Sequence, residues 1–368
     1  TGSINATNLS AQGGTVTLKS NLGSIKDSGT IEASGANGGG NVLVWASENS
    51  DFTGDIKAEA LVNSQNTKSN GGAVEVSGLK HLNFKGTVST LSHNGGNTGS
   101  LLLDPTDIEI RDAAPASGTE ITVASNNFTG VGTNNTSYIL TANLVAALAS
   151  NNVTVDATAT GAGTGTGKIT VTNDIVWDGT GDLTLKSGNG GIVLNANITS
   201  TNATKRNLVL YSGGGITQNH STGITVNDLS VQHNMGIVHN IVNGFDTYVS
   251  GDFQSIDLGG QNHINTISKF SSLVLQNAQY LETAFVTITN AQDLTINDQI
   301  RASQLNYGTG IINLNVSGKL SLAGFITGTV NLNVGGDITL NNGTYISQES
   351  PYNINTHGKN LIINGDIT

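Results

Sequence analysis

Asp182-Leu183-Thr184-Leu185-Lys186, a step through Gly188-Asn189-Gly190-Gly191, and then Ile192-Val193-Leu194-Asn195 form the stretch that decides the fold. Leu183 and Leu185 alternate with Thr184 and Lys186, and Ile192 and Leu194 alternate with Val193 and Asn195. That period of two belongs to short strands with one face buried and one face in water. The phrase that opens the stretch recurs: a polar residue, an apolar one, a polar or β-branched one, then Leu, Ile or Val. Copies start at Asn207, Asp228, Ser272, Asp293, Lys319, Asp337 and Asn360, with a degenerate copy at Asp252-Phe253-Gln254. Their mean spacing is about 22 residues, the length of one solenoid turn. Earlier copies, at Thr15-Val16-Thr17-Leu18 and Asn41-Val42-Leu43-Val44, are spaced more widely.

Few architectures accept this period. Leucine-rich repeats need Asn at a fixed offset and a convex helix, and propeller blades need about twice the length. A parallel β-helix fits, with three short strands per coil and coils stacked about 4.8 Å apart by in-register hydrogen bonds. The crossover rule makes it right-handed. The expectation is therefore an all-β, right-handed parallel β-helix of roughly 15 coils, a rod about 70 Å long if unbroken. One stretch departs from the pattern. Thr141-Ala142-Asn143-Leu144-Val145-Ala146-Ala147-Leu148-Ala149 lacks Gly and places Leu144, Val145 and Leu148 on one helical face. It predicts a short helix near 141–149 with Thr141 as its N-cap. The predicted division is coils over 1–104, an irregular insertion over 105–166, and coils of the same rod over 167–368.

Composition agrees and narrows the function. Gly is 48 of 368 residues, Pro is 3, and charged residues are 11%. Gly and Asn suit tight corners because they accept left-handed backbone angles, and Asn side chains can ladder from coil to coil. Few charges are expected where in-register stacking sets like charges about 4.8 Å apart. The net charge is −11 and basic residues are scattered, which excludes a nucleic-acid partner. Apolar runs are too short to insert in a membrane. Cys is 0, which excludes thiol chemistry, disulfides and Cys-based metal sites.

Residues 71–112 carry a family resemblance. Gly71-Gly72-Ala73-Val74-Glu75-Val76-Ser77-Gly78, Leu82-Asn83-Phe84-Lys85-Gly86-Thr87-Val88 and Gly99-Ser100-Leu101-Leu102-Leu103-Asp104-Pro105-Thr106-Asp107-Ile108-Glu109-Ile110 follow in order. This closely resembles filamentous-haemagglutinin-like, two-partner-secreted proteins of Gram-negative bacteria, including high-molecular-weight adhesins. The stretches 38–46 and 52–56 and the helix at 144–148 are similar as well, so the likeness covers about 35–200. The family's Asn-Pro-Asn secretion signature is missing, so the segment is expected to lie downstream of the export signal. The resemblance implies a β-helical rod exported by an outer-membrane two-partner-secretion transporter and displayed at the outer cell surface or secreted. The family includes adhesins, haemolysins, haem-acquisition proteins and toxins on stalks, and a rod does not choose among them.

Catalytic signals are thin. Asp104, Asp107, Glu109 and Asp112 form the densest acid group, but Asp-Pro-Thr-Asp is turn chemistry. Thr356-His357-Gly358 has no Asp pair beside it. His220, His239 and His263 recur at close to the coil period, so a stacked column is one reading and surface loops the other. Phe245, Tyr248, Phe253, Phe270, Tyr280 and Phe285 concentrate the aromatics, as an aromatic core section or as a sugar- or protein-stacking surface. The expectation is a non-enzymatic, monomeric segment of a secreted surface adhesin with no cofactor, metal or catalytic residue. It would bind a host cell-surface glycan or protein, or bridge cells in a biofilm, with receptor contacts at His233, His239, Phe245 and Tyr248. Capture of a host haem carrier is the first alternative, and a β-helical polysaccharide-degrading enzyme the second.

Overall fold

The structure is a computed structural model. It describes residues 2–61, 67–104, 107–113, 121–124, 127–130, 136–158, 165–233, 239–242, 245–248, 256–271, 285–298, 300–301, 303–304, 308–309, 311–324, 326–327, 329–341, 345–346, 352–364 and 366–367. Two compact units are present: Thr1–Gly188 with Ser200–Arg206, and Asn189–Thr199 with Asn207–Thr368.

Unit 1 begins with β1 (Ser3–Asn5), β2 (Thr15–Ser20), β3 (Ile25–Asp27) and β4 (Thr30–Glu32). The next coils are β5 (Asn41–Ala46), β6 (Asn49–Phe52) and β7 (Asp55–Lys57), then β8 (Ala73–Gly78), β9 (His81–Phe84) and β10 (Thr87–Ser89). After β11 (Ser100–Asp104) and β12 (Asp107–Arg111) comes an antiparallel hairpin, β13 (Ile121–Ala124) with β14 (Asn127–Gly130). β15 (Thr136–Leu140) runs directly into α1 (Thr141–Leu148), followed by β16 (Asn152–Ala157), β17 (Ile169–Val171), β18 (Ile175–Trp177) and β19 (Leu183–Ser187).

Strands of successive coils pair in parallel, which makes the fold a parallel β-helix. Face I stacks β2-β5-β8-β11-β16-β19. Face II stacks β3-β6-β9-β15-β12-β17. Face III stacks β1-β4-β7-β10. On face I the register superposes Val42, Val74, Leu101, Val153 and Leu183 in one column. Val44, Val76, Leu103, Val155 and Leu185 form a second, and both columns are buried. Each such side chain contributes about 1.5–3 kcal/mol of burial, and stacking like on like leaves no step between coils. On face II, Phe52 and Phe84 stack with centroids 5.6 Å apart and planes 11° from parallel.

The helix is where the sequence places it, but its start differs. Leu140, at φ −69 and ψ 132, holds the N-cap position without a side-chain cap, and Thr141 is buried with no partner for its Oγ1. The chain passes from β15 into α1 with no turn between them, so no residue is free to turn its side chain back onto the first N–H groups. The stretch 105–166 also carries regular strands of both stacks, β12, β15 and β16, beside the helix.

In unit 2 one face pairs Leu208–Ser212, Ile224–His233, Ile256–Ser271, Leu294–Ile296, Leu320–Leu322, Ile338–Leu340 and Leu361–Ile363 in parallel. A second pairs Ile256–Ser271, Phe285–Asn290, Ile311–Val316, Thr329–Val334 and Tyr352–Asn355. The register carries Leu320 onto Ile338 and Ile338 onto Leu361, steps close to the sequence repeat. In unit 1 it carries Thr15 onto Asn41, Asn41 onto Ala73 and Ser100 onto Asn152, and each of those steps is longer. The sequence period therefore describes the late coils, and the early ones exceed it.

Asparagine ladders do form from coil to coil, but their members Asn313, Asn331, Asn353, Asn227 and Asn265 sit within strands and not at the corners. Asn331 Nδ2 donates to Asn313 Oδ1 and Asn353 Nδ2 to Asn331 Oδ1, each at 2.9 Å, along successive coils. A second ladder links Asn227 to Asn207, Asn265 to Asn227 and Gln292 to Asn265. Buried Asn262 and Asn290 accept the backbone N–H groups of Ile224 and Ile264 at strand bends, each at 2.8 Å.

Candidate functional site

Strand alternation sends every second residue of face I outward. At the strand starts these are Asn41, Ala73, Ser100 and Asn152; at the strand ends Lys19, Trp45, Ser77 and Asp104 align in register, with Ser77 buried. Asp156 aligns with Lys186, and continuing the pairing of Leu103 with Val155 to the next position sets Asp156 beside Asp104. One outer face thus carries amides along one margin and an indole, carboxylates and amines along the other.

The amide margin borders a groove of about 330 Å³, with Gln12, Asn41, Asn70, Asn97, Ser100 and Asn152 in its lining. Its floor is glycine because the corners touch there. A Cβ on Gly71 would lie 1.8 Å from Thr90 O and 2.5 Å from Gly99 N, so no larger residue fits. Asn70 Oδ1 accepts the Asn97 N–H at 2.9 Å, and Asn152 Oδ1 accepts that of Asp182 at 3.0 Å. The lining contains no charged residue. On the opposite margin Trp45 is half-buried, with the Lys19 ammonium 4.8 Å from its ring centroid.

Asp104 is the unusual group. Burial first, then the Asp156 and Glu75 carboxylates, push its pKa up to about 7, against a smaller lowering by Lys186. Its neighbours are satisfied: Asp156 pairs with Lys186 at 2.7 Å and accepts the Thr158 N–H at 2.8 Å, and Glu75 accepts the Ser77 hydroxyl at 2.7 Å. Asp104 Oδ1 is buried without a partner. Near neutral pH this carboxyl holds its proton part of the time, so it can donate or accept a hydrogen bond. The scarcity of charge in stacked positions has its exception here, and the raised pKa is the consequence.

Two other acids near the Asp-Pro-Thr-Asp sequence, Asp107 and Glu109, make structural contacts. Asp107 Oδ1 accepts the Lys168 N–H at 2.8 Å, and Glu109 holds Arg111 at 3.1 Å and the Thr172 hydroxyl at 2.9 Å. His357 sits in a turn with φ 49, its Nε2 2.6 Å from Asn333 Oδ1, at the end of an asparagine ladder. The histidine column does not form: His263 pairs in register with Thr225, and His220 lies in an exposed turn. Of the predicted receptor contacts, His239 faces Tyr248 and Val242 faces Phe245 across an antiparallel hairpin, Ile241 opposite Asp246. His233 ends a different strand, in register with Ser212. The side chains of these four lie outside the described residues, as do Phe253 and Tyr280. Phe270 is buried.

Sequence reasoning misses Trp45 and the Asp104–Asp156 juxtaposition. Trp45 is detectable by parity, since Val42 and Val44 point inward. Asp156 is not, because its register with β11 spans a step that includes β12, a hairpin, β15 and α1. Among the described residues no group of three or more His, Asp or Glu is arranged to hold a metal, and no helix is long and apolar enough to cross a membrane. Comparison with protein-family models, with curated proteins and with solved structures finds no match in any of the three.

Proposed function

We propose that this chain is part of a secreted bacterial surface adhesin, and that the outer side of face I in unit 1 meets its partner, a host cell-surface glycan or protein. The observation that carries the reading is that half-buried Trp45, the uncharged amide groove and the Asp104 carboxyl share face I, Trp45 and Asp104 along one margin and the groove along the other. Indole rings and amide groups are the usual means of gripping sugar rings and polar protein surface. The resemblance of residues 71–112 to two-partner-secreted adhesins agrees with it, and adds an outer-membrane transporter as the export partner and the cell surface as location. The soluble chain should bind host cells or a glycan array and compete with whole bacteria, and Trp45→Ala should cut that binding at least tenfold. Loss of neither binding nor competition on changing Trp45 would remove face I from the account. Failure of the parent chain to bind at all would make it a passive stalk.

A second reading has one observation in its favour, the adjacent Asp104 and Asp156 carboxyls. A protonated carboxyl beside an ionised one is the acid–base pair of polysaccharide hydrolysis. Release of reducing ends from a polysaccharide near neutral pH, lost in both Asp104→Asn and Asp156→Asn, would establish it. No release from a broad substrate panel would dismiss it.

A further inference from the structure

Face II does not follow chain order. β15 lies between β9 and β12, although it comes after β12 in the sequence. The chain therefore lays down β12, leaves the stack, and returns one rung earlier. The two edges of β15 are unequal. Against β12 it pairs at five positions, Asp107 with Thr136 through Arg111 with Leu140. Against β9 it pairs at two, Tyr138 with Asn83 and Ile139 with Phe84, and the Leu82 N–H instead donates to the Ser137 hydroxyl at 2.9 Å. Ser137 stands in a buried column between Leu82 and Ile108, where a hydroxyl contributes little packing.

On the remaining side α1 packs against β10, β15, β16 and β18. While α1 spans that side, faces I and II each add two strands, β11 and β16, and β15 and β12. A helix is about 10 Å across, and two strand spacings come to about the same, so α1 fills a two-rung gap. Asn151, fully buried, closes the exposed edge of β10: its Nδ2 donates to Val88 O at 2.8 Å and to Ala147 O at 2.6 Å, and its Oδ1 accepts the Thr90 hydroxyl at 2.7 Å.

We propose that β15 and α1 are an insertable wedge, and that the stack has a second arrangement in which β12 sits directly on β9. The registers define that arrangement. Glu109 pairs with Tyr138 and Tyr138 with Asn83, so removing β15 sets Glu109 on Asn83, Ile108 on Leu82 and Ile110 on Phe84. Those contacts are more apolar than the one Ser137 makes. Connectivity favours it as well, because docking β11 on β8 delivers β12 next to β9 through a short link. The wedge displaces β12 when its own burial, through Leu144, Ala147, Leu148 and Ile139, becomes available.

The chain has no Cys, so paired cysteines report directly. Adjacent rungs, about 4.8 Å apart, accept a disulfide, and rungs twice as far apart do not. Asn83→Cys with Tyr138→Cys should cross-link in the folded protein. Asn83→Cys with Glu109→Cys should cross-link during refolding under an oxidising glutathione buffer, and not when oxidant is added after folding. Lys26→Cys with Asn83→Cys is the control, two rungs apart on the same face with no wedge between. The 83/109 pair should exceed that control at least fivefold at early refolding times. A yield equal to the control overturns the proposal. Leu144→Asp, which weakens the wedge, should make the 83/109 pair reactive without refolding, and an unchanged 83/109 yield in a variant with parent-like circular dichroism would overturn it as well.

Discussion

The early coils of unit 1 and the late coils of unit 2 solve the same stacking problem differently. From Ile311 to Asn355 one face of unit 2 repeats almost identical strands, and Asn313, Asn331 and Asn353 bond side chain to side chain. In unit 1 the steps lengthen, from Thr15 to Asn41 at the start and from Ser100 to Asn152 at the longest. The added residues build a glycine-floored groove, a helix in place of strands and a pair of stacked carboxyls. Among the described residues, the regular coils spend amides on ladders, and the irregular coils of unit 1 hold Trp45, the glycine-floored groove and the stacked carboxyls.

The largest test of this contrast lies in the core. Phe84→Ala removes the Phe52–Phe84 stack and should cost about 3–5 kcal/mol, and Leu332→Ala in unit 2 about 2–5 kcal/mol. Both tryptophans, Trp45 and Trp177, belong to unit 1. Indole fluorescence during denaturant unfolding should therefore register Phe84→Ala fully. A larger shift of that signal by Leu332→Ala than by Phe84→Ala would break the comparison.

Next come the buried amides and the stacked acids. Asn151→Ala removes the shortest hydrogen bonds of the Val88 carbonyl and the Thr90 hydroxyl, leaving each only a 3.3 Å contact with Ser150, and should cost about 1–3 kcal/mol. Asp104 binds a proton more readily in the folded chain, at about 7 against an ordinary value of 3.8. The folded state then holds the extra proton between those values, so this group's stabilisation is complete below pH 3.8 and is lost as pH rises to about 7. Asp104→Asn should therefore stabilise the protein at pH 8, by something on the order of 1–3 kcal/mol, and change little at pH 4. A destabilised Asp104→Asn at pH 8 would mean that the carboxylate has a partner there. At the small end, Asn331→Ala on the half-exposed ladder should cost less than about 1 kcal/mol in the same melts.

Much of this fold is legible in one stretch of sequence, since Leu183, Leu185, Ile192 and Leu194 state the strand period and Gly188 to Gly191 the turn. The helix at Thr141–Leu148 is legible from the absence of Gly. The order of β12 and β15 is not, because Asp107-Ile108-Glu109-Ile110 and Ser137-Tyr138-Ile139-Leu140 both suit face II and neither encodes which rung it takes. For the same reason Asp104 reads as a turn former until the register brings Asp156 beside it. Histidine spacing misleads where loops lengthen the coils, since a separation near the mean period no longer corresponds to one rung.

The central claim is that the irregular coils of unit 1 carry the binding face and the regular coils of unit 2 do not. Surface plasmon resonance with host-cell glycoprotein immobilised, comparing the parent chain, Trp45→Ala and Asn331→Ala, tests it most directly. The account predicts at least tenfold weaker binding for Trp45→Ala and less than twofold change for Asn331→Ala. Equal loss in both, or loss in Asn331→Ala alone, would contradict it.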